Sequence, residues 1–156
     1  GVRPLVQIRM ENEVKAGLEE SELSQYERQL GLKLPQQYRN FLLEFNGGSP
    51  RPSRFTFKDC DTGSQVLSFF GFGSFYDVLE ELETYGGRLP KRFFPIAAES
   101  GGNLLCISLS GEDSGNIYFW DHELEAELSK GQTPDSVNNT TLVADSFSEF
   151  LDSFCE

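Results

Sequence analysis

The sequence lacks the long apolar stretch that would place it in a membrane. No run approaches the roughly 18 apolar residues that a spanning helix needs, and the chain does not open with the charged and then apolar segment of a secretory signal. We therefore expect a soluble, cytoplasmic protein with no membrane partner. Its 156 residues suit one domain, and a chain of that length can bury a core without metals or disulfides.

Cysteine and histidine are scarce as well. Cys60, Cys106 and Cys155 are odd in number and far apart, no C-x-x-C pair occurs, and His122 is the only histidine of the sequence. A zinc site needs several closely spaced ligands of these residue types. The sequence therefore predicts three free thiols, as is typical of a reducing cytosol, and no metal site.

The motifs that carry catalysis are missing or incomplete. The turn GEDSG has its serine in the wrong place for a nucleophile elbow, GFGS lacks the third glycine of a dinucleotide loop, and DCDTG would need a glutamate where Phe70 stands to bind calcium. Cys106 could meet Asp121 and His122 across a hairpin, but within LLCISLS it better fits a small buried hydrophobe. We predict no enzymatic activity, no catalytic residue and no cofactor; a paired-carboxylate site among the 25 acids stays open.

Basic residues are almost absent from the last third of the chain. The net charge is −12, and residues 93 to 156 hold Lys130 against 12 Asp and Glu, whereas residues 1 to 92 are nearly balanced, with 12 Lys and Arg against 13 acids. A negative surface repels phosphate groups and attracts basic proteins. The charge pattern predicts a protein partner and argues against direct binding of nucleic acid or membrane. Solubility alone is the simpler explanation of the same pattern.

The sequence does contain clear amphipathic segments. KLPQQYRNFLLEFNGG predicts a helix that begins at Pro35 and ends before Gly47 and Gly48. Its core side comprises Tyr38, Phe41, Leu42 and Phe45, and its exposed side comprises Gln36, Gln37, Arg39, Asn40 and Glu44. SELSQYERQLG predicts a preceding helix that Ser21 caps and Gly31 ends.

Further elements follow from alternating and helical periods. RFTFKD and QVLSFFGFG predict strands, and SFYDVLEELETYGG predicts a helix that Ser74 caps and to whose apolar side Phe75 belongs. A short strand after Pro95, a turn at 101–103, and a hairpin formed by LLCISLS and NIYFWDHE come next.

The C-terminal part continues in the same way. Residues 124–139 predict a short helical piece followed by a loop, and TTLVA predicts a last strand. DSFSEFLDSF predicts a closing helix with the S-x-x-E capping box of Ser146 and Glu149. Residues 1–20 are ambiguous between helix and strand.

Four blocks of the sequence carry a family resemblance through their order. ELSQYERQLGLKLPQQYRNFLLEFNGG is followed by RFFPIAAESGGNLLCISLS, GNIYFWDHE and VADSFSEFL. In this order the chain resembles the SUKH superfamily, whose fungal members include cell-wall-assembly regulators and whose many bacterial members look like immunity proteins. It departs from the pattern in residues 1–20 and between His122 and Thr140.

The resemblance implies one SUKH-like α+β domain over residues 1–156, with a mainly antiparallel β-sheet covered by helices and no known catalytic activity. For a bacterial member it implies binding and neutralising a cognate toxin of a polymorphic or contact-dependent system. Such toxins are frequently nucleases or deaminases. The alternative is a regulatory or scaffolding interaction domain of the cell-wall-assembly-regulator type.

The candidate partner-binding residues lie at expected strand ends and turns, where side chains can reach out. They are Glu99, Glu112, Asp113, Asp121, His122 and Glu123. Charge would speed the encounter with a partner, and apolar groups on the same face would then hold it. The middle of the chain is basic and can pair with the acidic end of the same or another molecule, so self-association stays open. These basic residues are Arg51, Arg54, Lys58, Arg88, Lys91 and Arg92.

Overall fold

Helices and antiparallel strands follow one another in groups along the chain. The computed structural model describes residues 9–11 and 17–156, so most of the ambiguous segment 1–20 lies outside the described residues. The α-helices are α1 (Glu20–Leu30), α2 (Gln36–Glu44), α3 (Val78–Tyr85) and α4 (Phe147–Asp152). The strands are β1 (Arg9–Glu11), β2 (Ser49–Arg51), β3 (Arg54–Thr56), β4 (Gly63–Phe69), β5 (Phe93–Glu99), β6 (Leu104–Ser108), β7 (Ile117–Trp120) and β8 (Thr140–Ala144). No helix in this part of the chain is long and apolar enough to cross a membrane.

Strands β3 to β8 form one six-stranded antiparallel sheet in which each strand pairs with its neighbour in the sequence. Short connections after β3, β5 and β6 reverse the chain and so favour the pairing of the strands that they join, whereas α3 lies between β4 and β5. The turns after β5 and β6 lie where the sequence predicts them, and β1 and β2 form a separate ribbon. Two short 3₁₀ helices, His122–Leu124 and Leu128–Lys130, precede the loop to β8. The expected α+β fold with a mainly antiparallel sheet is confirmed.

The two edge strands of this sheet, β3 and β8, come together. The N–H of Lys58, two residues after β3, donates to the carbonyl of Leu142 in β8 at 3.0 Å. The Lys58 ammonium pairs with Asp145 at 3.1 Å and with Glu149 near the start of α4. Twist curls a sheet of this length, and the contacts of Lys58 hold its edges near each other.

Helices α2 and α4 pack on one face of the sheet through aromatic rings. Tyr38 of α2 meets Phe147 of α4 with ring centroids 5.3 Å apart, and Phe41 meets Phe69 of β4 at 4.8 Å. These rings are almost fully buried, and burial of such a side chain contributes about 1.5 to 3 kcal/mol. The predicted core side of α2 is confirmed, with Phe45 half-buried at its end.

Helix α3 covers the opposite face. Phe93 and Phe94 are adjacent on β5, so their side chains point to opposite faces. Phe94 points at α2, whereas Phe93 stacks on Tyr118 of β7 with centroids 5.0 Å apart. Trp120 shares the face of Tyr118 and meets Tyr85 of α3 at 5.8 Å. Helices therefore cover both faces of the sheet, where the resemblance implied only that helices cover it.

Helix α1 begins at a different residue from the one predicted. Glu19 is its N-cap and forms a capping box with Glu22, so Ser21 lies inside the helix. A glutamate side chain is long enough to reach the free N–H groups of the first turn and takes the place that short polar residues usually hold. Gly31 ends the helix in the left-handed conformation, as predicted.

Helix α3 begins later than predicted. Asp77 is its N-cap and accepts a hydrogen bond from the Leu79 N–H at 3.0 Å. Ser74 and Phe75 precede the helix, and Phe75 is 91% exposed. The expectations that Ser74 caps the helix and that Phe75 lies on its apolar side are wrong. Both residues belong to a loop that backbone hydrogen bonds from Gly71 to Tyr76 and from Val78 to Gly71 close before the helix begins.

The prediction that Arg39 of α2 is exposed to solvent is wrong. Its side chain is 13% exposed, and its guanidinium donates to Glu27 and Glu20 of α1 at 2.8 Å each. Glu27 also accepts from the Leu34 N–H at 2.8 Å. Burial raises the pKa of Glu27, but the bonds from Arg39 and Leu34 outweigh burial and lower it. The spacing of α2 alone did not reveal that α1 would set two carboxylates against this position; the other predicted exposed residues of α2 are exposed.

The ends of α2 and α4 agree with the sequence. Asn46, Gly47 and Gly48 after α2 have positive φ values of 52°, 95° and 117°, a backbone region that glycine adopts most easily. At α4 the Ser146 hydroxyl accepts from the Glu149 N–H at 3.1 Å, so the predicted cap is confirmed.

Candidate protein-binding surface

The segments ESGGN and WDH, distant in sequence, form one hydrogen-bonded unit. The Asn103 side-chain oxygen accepts from the His122 N–H at 3.0 Å and lies 2.6 Å from His122 Nδ1, while the Asn103 amide donates to Glu99 at 3.0 Å. Because that oxygen is an acceptor, Nδ1 of His122 carries a proton. Glu99 also accepts from the Ser64 hydroxyl and the Gly101 N–H. The β5–β6 turn thereby fixes the chain as it leaves β7.

Glu99 does not reach into solvent as expected. The residue is 6% exposed, and the donors around it occupy its carboxylate. A carboxylate is retained in such a place when hydrogen bonds replace its water. The expectation of a side chain free to meet a partner is wrong for Glu99, which instead positions His122 through Asn103.

The chain after β7 forms an exposed segment that is held at its start. Asp121 accepts from the Glu123 N–H at 2.9 Å and so caps the first 3₁₀ helix. Asn139 binds the Asp121 backbone twice, through its carbonyl at 2.9 Å and its side-chain amide at 3.0 Å. Beyond this anchored start, Leu124 and Leu128 are 62% and 59% exposed. The segment thus presents two large apolar side chains to solvent.

An ion pair ties this segment to α3. Arg88, just past α3, donates two hydrogen bonds to Glu125, and this contact lowers the pKa of the Glu125 carboxyl. The Arg88 guanidinium also lies 4.4 Å from the centroid of the Tyr85 ring, which itself meets Trp120. Helix α3 and the segment 121–128 are therefore neighbours.

Half of the 12 acids in the last third are paired with cations of the same molecule. Lys58 pairs with Asp145 and Glu149, Arg88 with Glu125, Arg92 with Asp113 and Asp135, and Lys130 with Glu127. The predicted attraction between the basic middle and the acidic end thus operates within one molecule for three of the six basic residues. Ion pairs at a surface contribute only about 0 to 1 kcal/mol each, but they neutralise charge that a partner would otherwise meet.

A group of acids without a cation partner lies on α3 and beside it. No cation of residues 17–156 pairs with these side chains: Glu80, Glu81, Glu83, Asp121 and Glu123. Burial and the nearby charge of Glu80 raise the pKa of Glu81. Three of the four large exposed hydrophobic residues of the described chain, Phe75, Leu124 and Leu128, lie in the same two segments. We call residues 74–85 and 121–128 the acidic face.

The α3 half of this face escaped the sequence reasoning. Counting charge along the chain placed α3 in the balanced first part, because Arg88 and Lys91 follow it closely. In the fold, Arg88 pairs with Glu125 and not with an acid of α3. The sequence did contain a sign of this negative surface, because α3 has three glutamates and no basic residue.

Glu112 and Asp113 lie on the turn before β7, at the other end of that strand from the acidic face. Glu112 is exposed. Asp113 accepts from Arg92, the Ser108 hydroxyl and the Tyr118 hydroxyl at 3.0, 2.7 and 2.7 Å. Burial raises the pKa of Asp113, but these bonds outweigh burial and lower it to about 2. The structure therefore divides the predicted partner-binding set between the two ends of β7.

The structure places the Cys106 thiol, the nucleophile that the sequence offered, in the core. Cys106 is fully buried in β6, and burial raises the pKa of its thiol, so a nucleophilic thiolate would not form at neutral pH. Cys60 and Cys155 are exposed, and all three thiols are free. Within the described ranges no three His, Cys, Asp or Glu side chains are grouped so that they could hold a metal ion.

Comparison with known proteins identifies a matching family and a similar protein. Residues 17–153, which include every element from α1 to α4, match the SMI1 / KNR4 family (SUKH-1). The chain is also 30% identical over 149 residues to the SPbeta prophage-derived uncharacterized protein YokK of Bacillus subtilis (strain 168), a match that covers 83% of this chain and 71% of that protein. The resemblance carried by the four sequence blocks is confirmed, and the chain belongs to the SMI1 / KNR4 family (SUKH-1).

Proposed function

We propose that this protein is an immunity protein that binds and neutralises a cognate toxin domain. The acidic face carries the proposal: its two segments present carboxylates without a cation partner together with the exposed Phe75, Leu124 and Leu128, and hydrogen bonds fix the start of the segment 121–128. Such a face combines long-range attraction for a basic protein with apolar groups that can hold it after encounter.

Family membership supports this proposal. The relative in Bacillus subtilis is prophage-derived, so a protein similar to this one is carried on mobile DNA, where a toxin and its immunity protein can be inherited together. Most of the sequence blocks that place the chain in its family belong to the scaffold. Residues 74–85 of the acidic face lie outside all four blocks, and the block GNIYFWDHE contributes Asp121, His122 and Glu123 to it.

The charge of the face suggests the chemistry of the toxin. A nuclease or deaminase that acts on nucleic acid binds phosphate groups with lysine and arginine in its cleft. The carboxylates of the acidic face are complementary to such a cleft and would exclude the substrate by covering it. In this proposal the protein acts in the cytoplasm by stoichiometric binding and performs no reaction of its own.

Binding to the product of the neighbouring reading frame tests the proposal directly. We expect the two proteins to co-purify at low salt and the association to slow as salt is added, because ions screen charges that are about a Debye length apart. An absence of binding at every salt concentration, measured with both purified proteins, would contradict the proposal.

The acidic face makes a sharper prediction possible. The triple variant Glu80→Gln, Glu83→Gln, Glu123→Gln should slow association at low salt about tenfold or more. A matched control, Glu112→Gln, Asp152→Asn, Glu156→Gln, removes the same charge from exposed residues outside the face. We expect the control to associate nearly as fast as the wild type in a stopped-flow or biosensor measurement. Equal slowing in both variants would show that only net charge matters.

A regulatory or scaffolding role of the cell-wall-assembly-regulator type is the second candidate, because the matching family is the SMI1 / KNR4 family. The same acidic face would then bind a component of a larger assembly. The neighbouring reading frame separates the two candidates: a toxin-like gene beside this one favours immunity, and a partner found only among cell-wall or signalling proteins favours regulation.

A further inference from the structure

The loop between β4 and α3 is fixed from within by hydrogen bonds. The Gly71 N–H donates to the Tyr76 carbonyl at 2.9 Å, and the Val78 N–H donates to the Gly71 carbonyl at 2.8 Å. The Ser74 hydroxyl donates to the same Tyr76 carbonyl at 3.0 Å. These bonds close the loop on itself, with Phe75 at its tip.

The same loop is also fastened to the rest of the fold. The Asn46 side chain donates to the Phe72 carbonyl and accepts from the Phe72 N–H, both at 2.9 Å. The Phe72 ring stacks on Tyr26 of α1 with centroids 4.4 Å apart. A Cβ at Gly71 would lie 2.0 Å from the Asn46 carbonyl oxygen, so the close approach requires glycine. The loop therefore has a defined shape.

Phe75 takes no part in these contacts. The residue is 91% exposed, and its ring meets the adjacent Tyr76 with centroids 5.2 Å apart. Single exposed apolar side chains are common and need no explanation. Phe75 differs because the fixed loop keeps it away from the core and because it precedes the carboxylates of α3. A group presented on an ordered loop loses less conformational freedom on binding.

We infer that Phe75 is the anchor of the acidic face and inserts into an apolar pocket of a protein partner whose pocket rim carries lysine or arginine. The inference rests on the proposed function and deepens it by naming the chemistry of the docking site. Glu80 and Glu83 of α3 face the basic rim and steer the encounter. Aromatic side chains are enriched at the dry centres of protein interfaces, where the rim is polar.

A second copy of this chain does not fit the same role. Two acidic faces brought together would place the carboxylates of both α3 helices opposite each other, and like charges across an interface oppose association. The phosphates of nucleic acid and of anionic membranes are disfavoured for the same reason. A cationic protein is the occupant that the charges favour.

Binding kinetics test the anchor, with the product of the neighbouring reading frame immobilised as the probe. We expect Phe75→Ala to raise the dissociation rate at least about 30-fold and to change the association rate less than about threefold, because an apolar anchor acts after encounter. Phe75→Trp, which keeps an aromatic ring, should restore slow dissociation.

A control variant separates the anchor from apolar exposure in general. Leu67 is 48% exposed on β4, outside the acidic face, and Leu67→Ala should leave both rates unchanged. Because Phe75 is exposed, Phe75→Ala should unfold at the wild-type temperature, so that weaker binding cannot be ascribed to a lost fold. Equal dissociation rates for wild type and Phe75→Ala would overturn the anchor while the proposed function stands. No binding by the wild type at any salt concentration would overturn both.

Discussion

At the scale of single residues, buried polar side chains decide how the exposed ones are presented. Asn103 joins Glu99 to His122, so a turn between two strands holds the beginning of the segment that carries Leu124. A polar group in such a place costs free energy unless its bonds are made. Glu99 is therefore a positioning residue, although its charge suggested a surface role.

Glu99→Ala should lower the free energy of unfolding by about 2 to 4 kcal/mol, because the Ser64 hydroxyl, the Gly101 N–H and the Asn103 amide lose their acceptor. Urea denaturation followed by circular dichroism measures the change. Glu112→Ala, at an exposed residue, should stay within about 0.5 kcal/mol of the wild type. Equal stability of the two variants would show that the Glu99 network is dispensable.

At the scale of elements, turns are held by charged side chains that belong to neighbouring segments. Arg92, just before β5, reaches the turn between β6 and β7, where its guanidinium binds Asp113 and lies 4.7 Å from the centroid of Phe93. Arg88 ties α3 to the segment after β7 in the same manner. These contacts explain why the two ends of β7 are ordered even though their sequences are polar.

The Asp113 contact predicts a pH dependence. The pKa of Asp113 is lowered from 3.8 to about 2 in the fold, so its stabilising contribution is complete above about pH 4 and is lost as the pH falls through about 2. Asp113→Asn should therefore be less stable than the wild type at neutral pH by up to about 2 kcal/mol. That difference should narrow on acidification.

Chemical denaturation at a series of pH values measures the Asp113 effect. Asp152→Asn is the matched control because Asp152 is exposed and has no cation partner within residues 17–156. Its pH profile should parallel that of the wild type. A profile of Asp113→Asn that also stays parallel at low pH would contradict the assignment of the lowered pKa to this contact.

At the scale of the whole molecule, ion pairs shape both the sheet and the surface potential. Lys58 links the edge strands β3 and β8 and reaches α4. The same kind of pairing neutralises half of the C-terminal acids, so the negative charge that is free to act on a partner includes α3, which precedes the acidic third. The net charge of −12 states the amount of charge; the fold decides where it is presented.

Lys58→Met should loosen the contact between the sheet edges. We expect faster amide hydrogen exchange in β3 and β8, with little change in the central strands β5 and β6, because local opening depends on local contacts. Lys91→Met, which removes an exposed cation from the segment before β5, should leave exchange in β3 and β8 unchanged. Uniform faster exchange across the sheet after Lys58→Met would indicate a global rather than a local role.

The sequence predicted helix faces and helix ends correctly where they depend only on residues a few positions apart. The core side of α2, the glycines after it and the Ser146 cap depend on neighbours within a few positions, so local periods and caps were enough. The caps at Ser21 and Ser74 were wrong because Glu19 and Asp77 compete for the same free N–H groups. The solvation of Arg39 was wrong because its partners belong to another helix.

The sequence by itself determined the family, the α+β class and the excess of negative charge, since block order, periodicity and composition are properties of the chain. Only the tertiary structure decided that Glu99 is buried, that Arg88 pairs with Glu125, and that Phe75, just before α3, is exposed. The physical reason is that exposure and ion pairing depend on distances between residues far apart in sequence. The position of the acidic face follows from those distances.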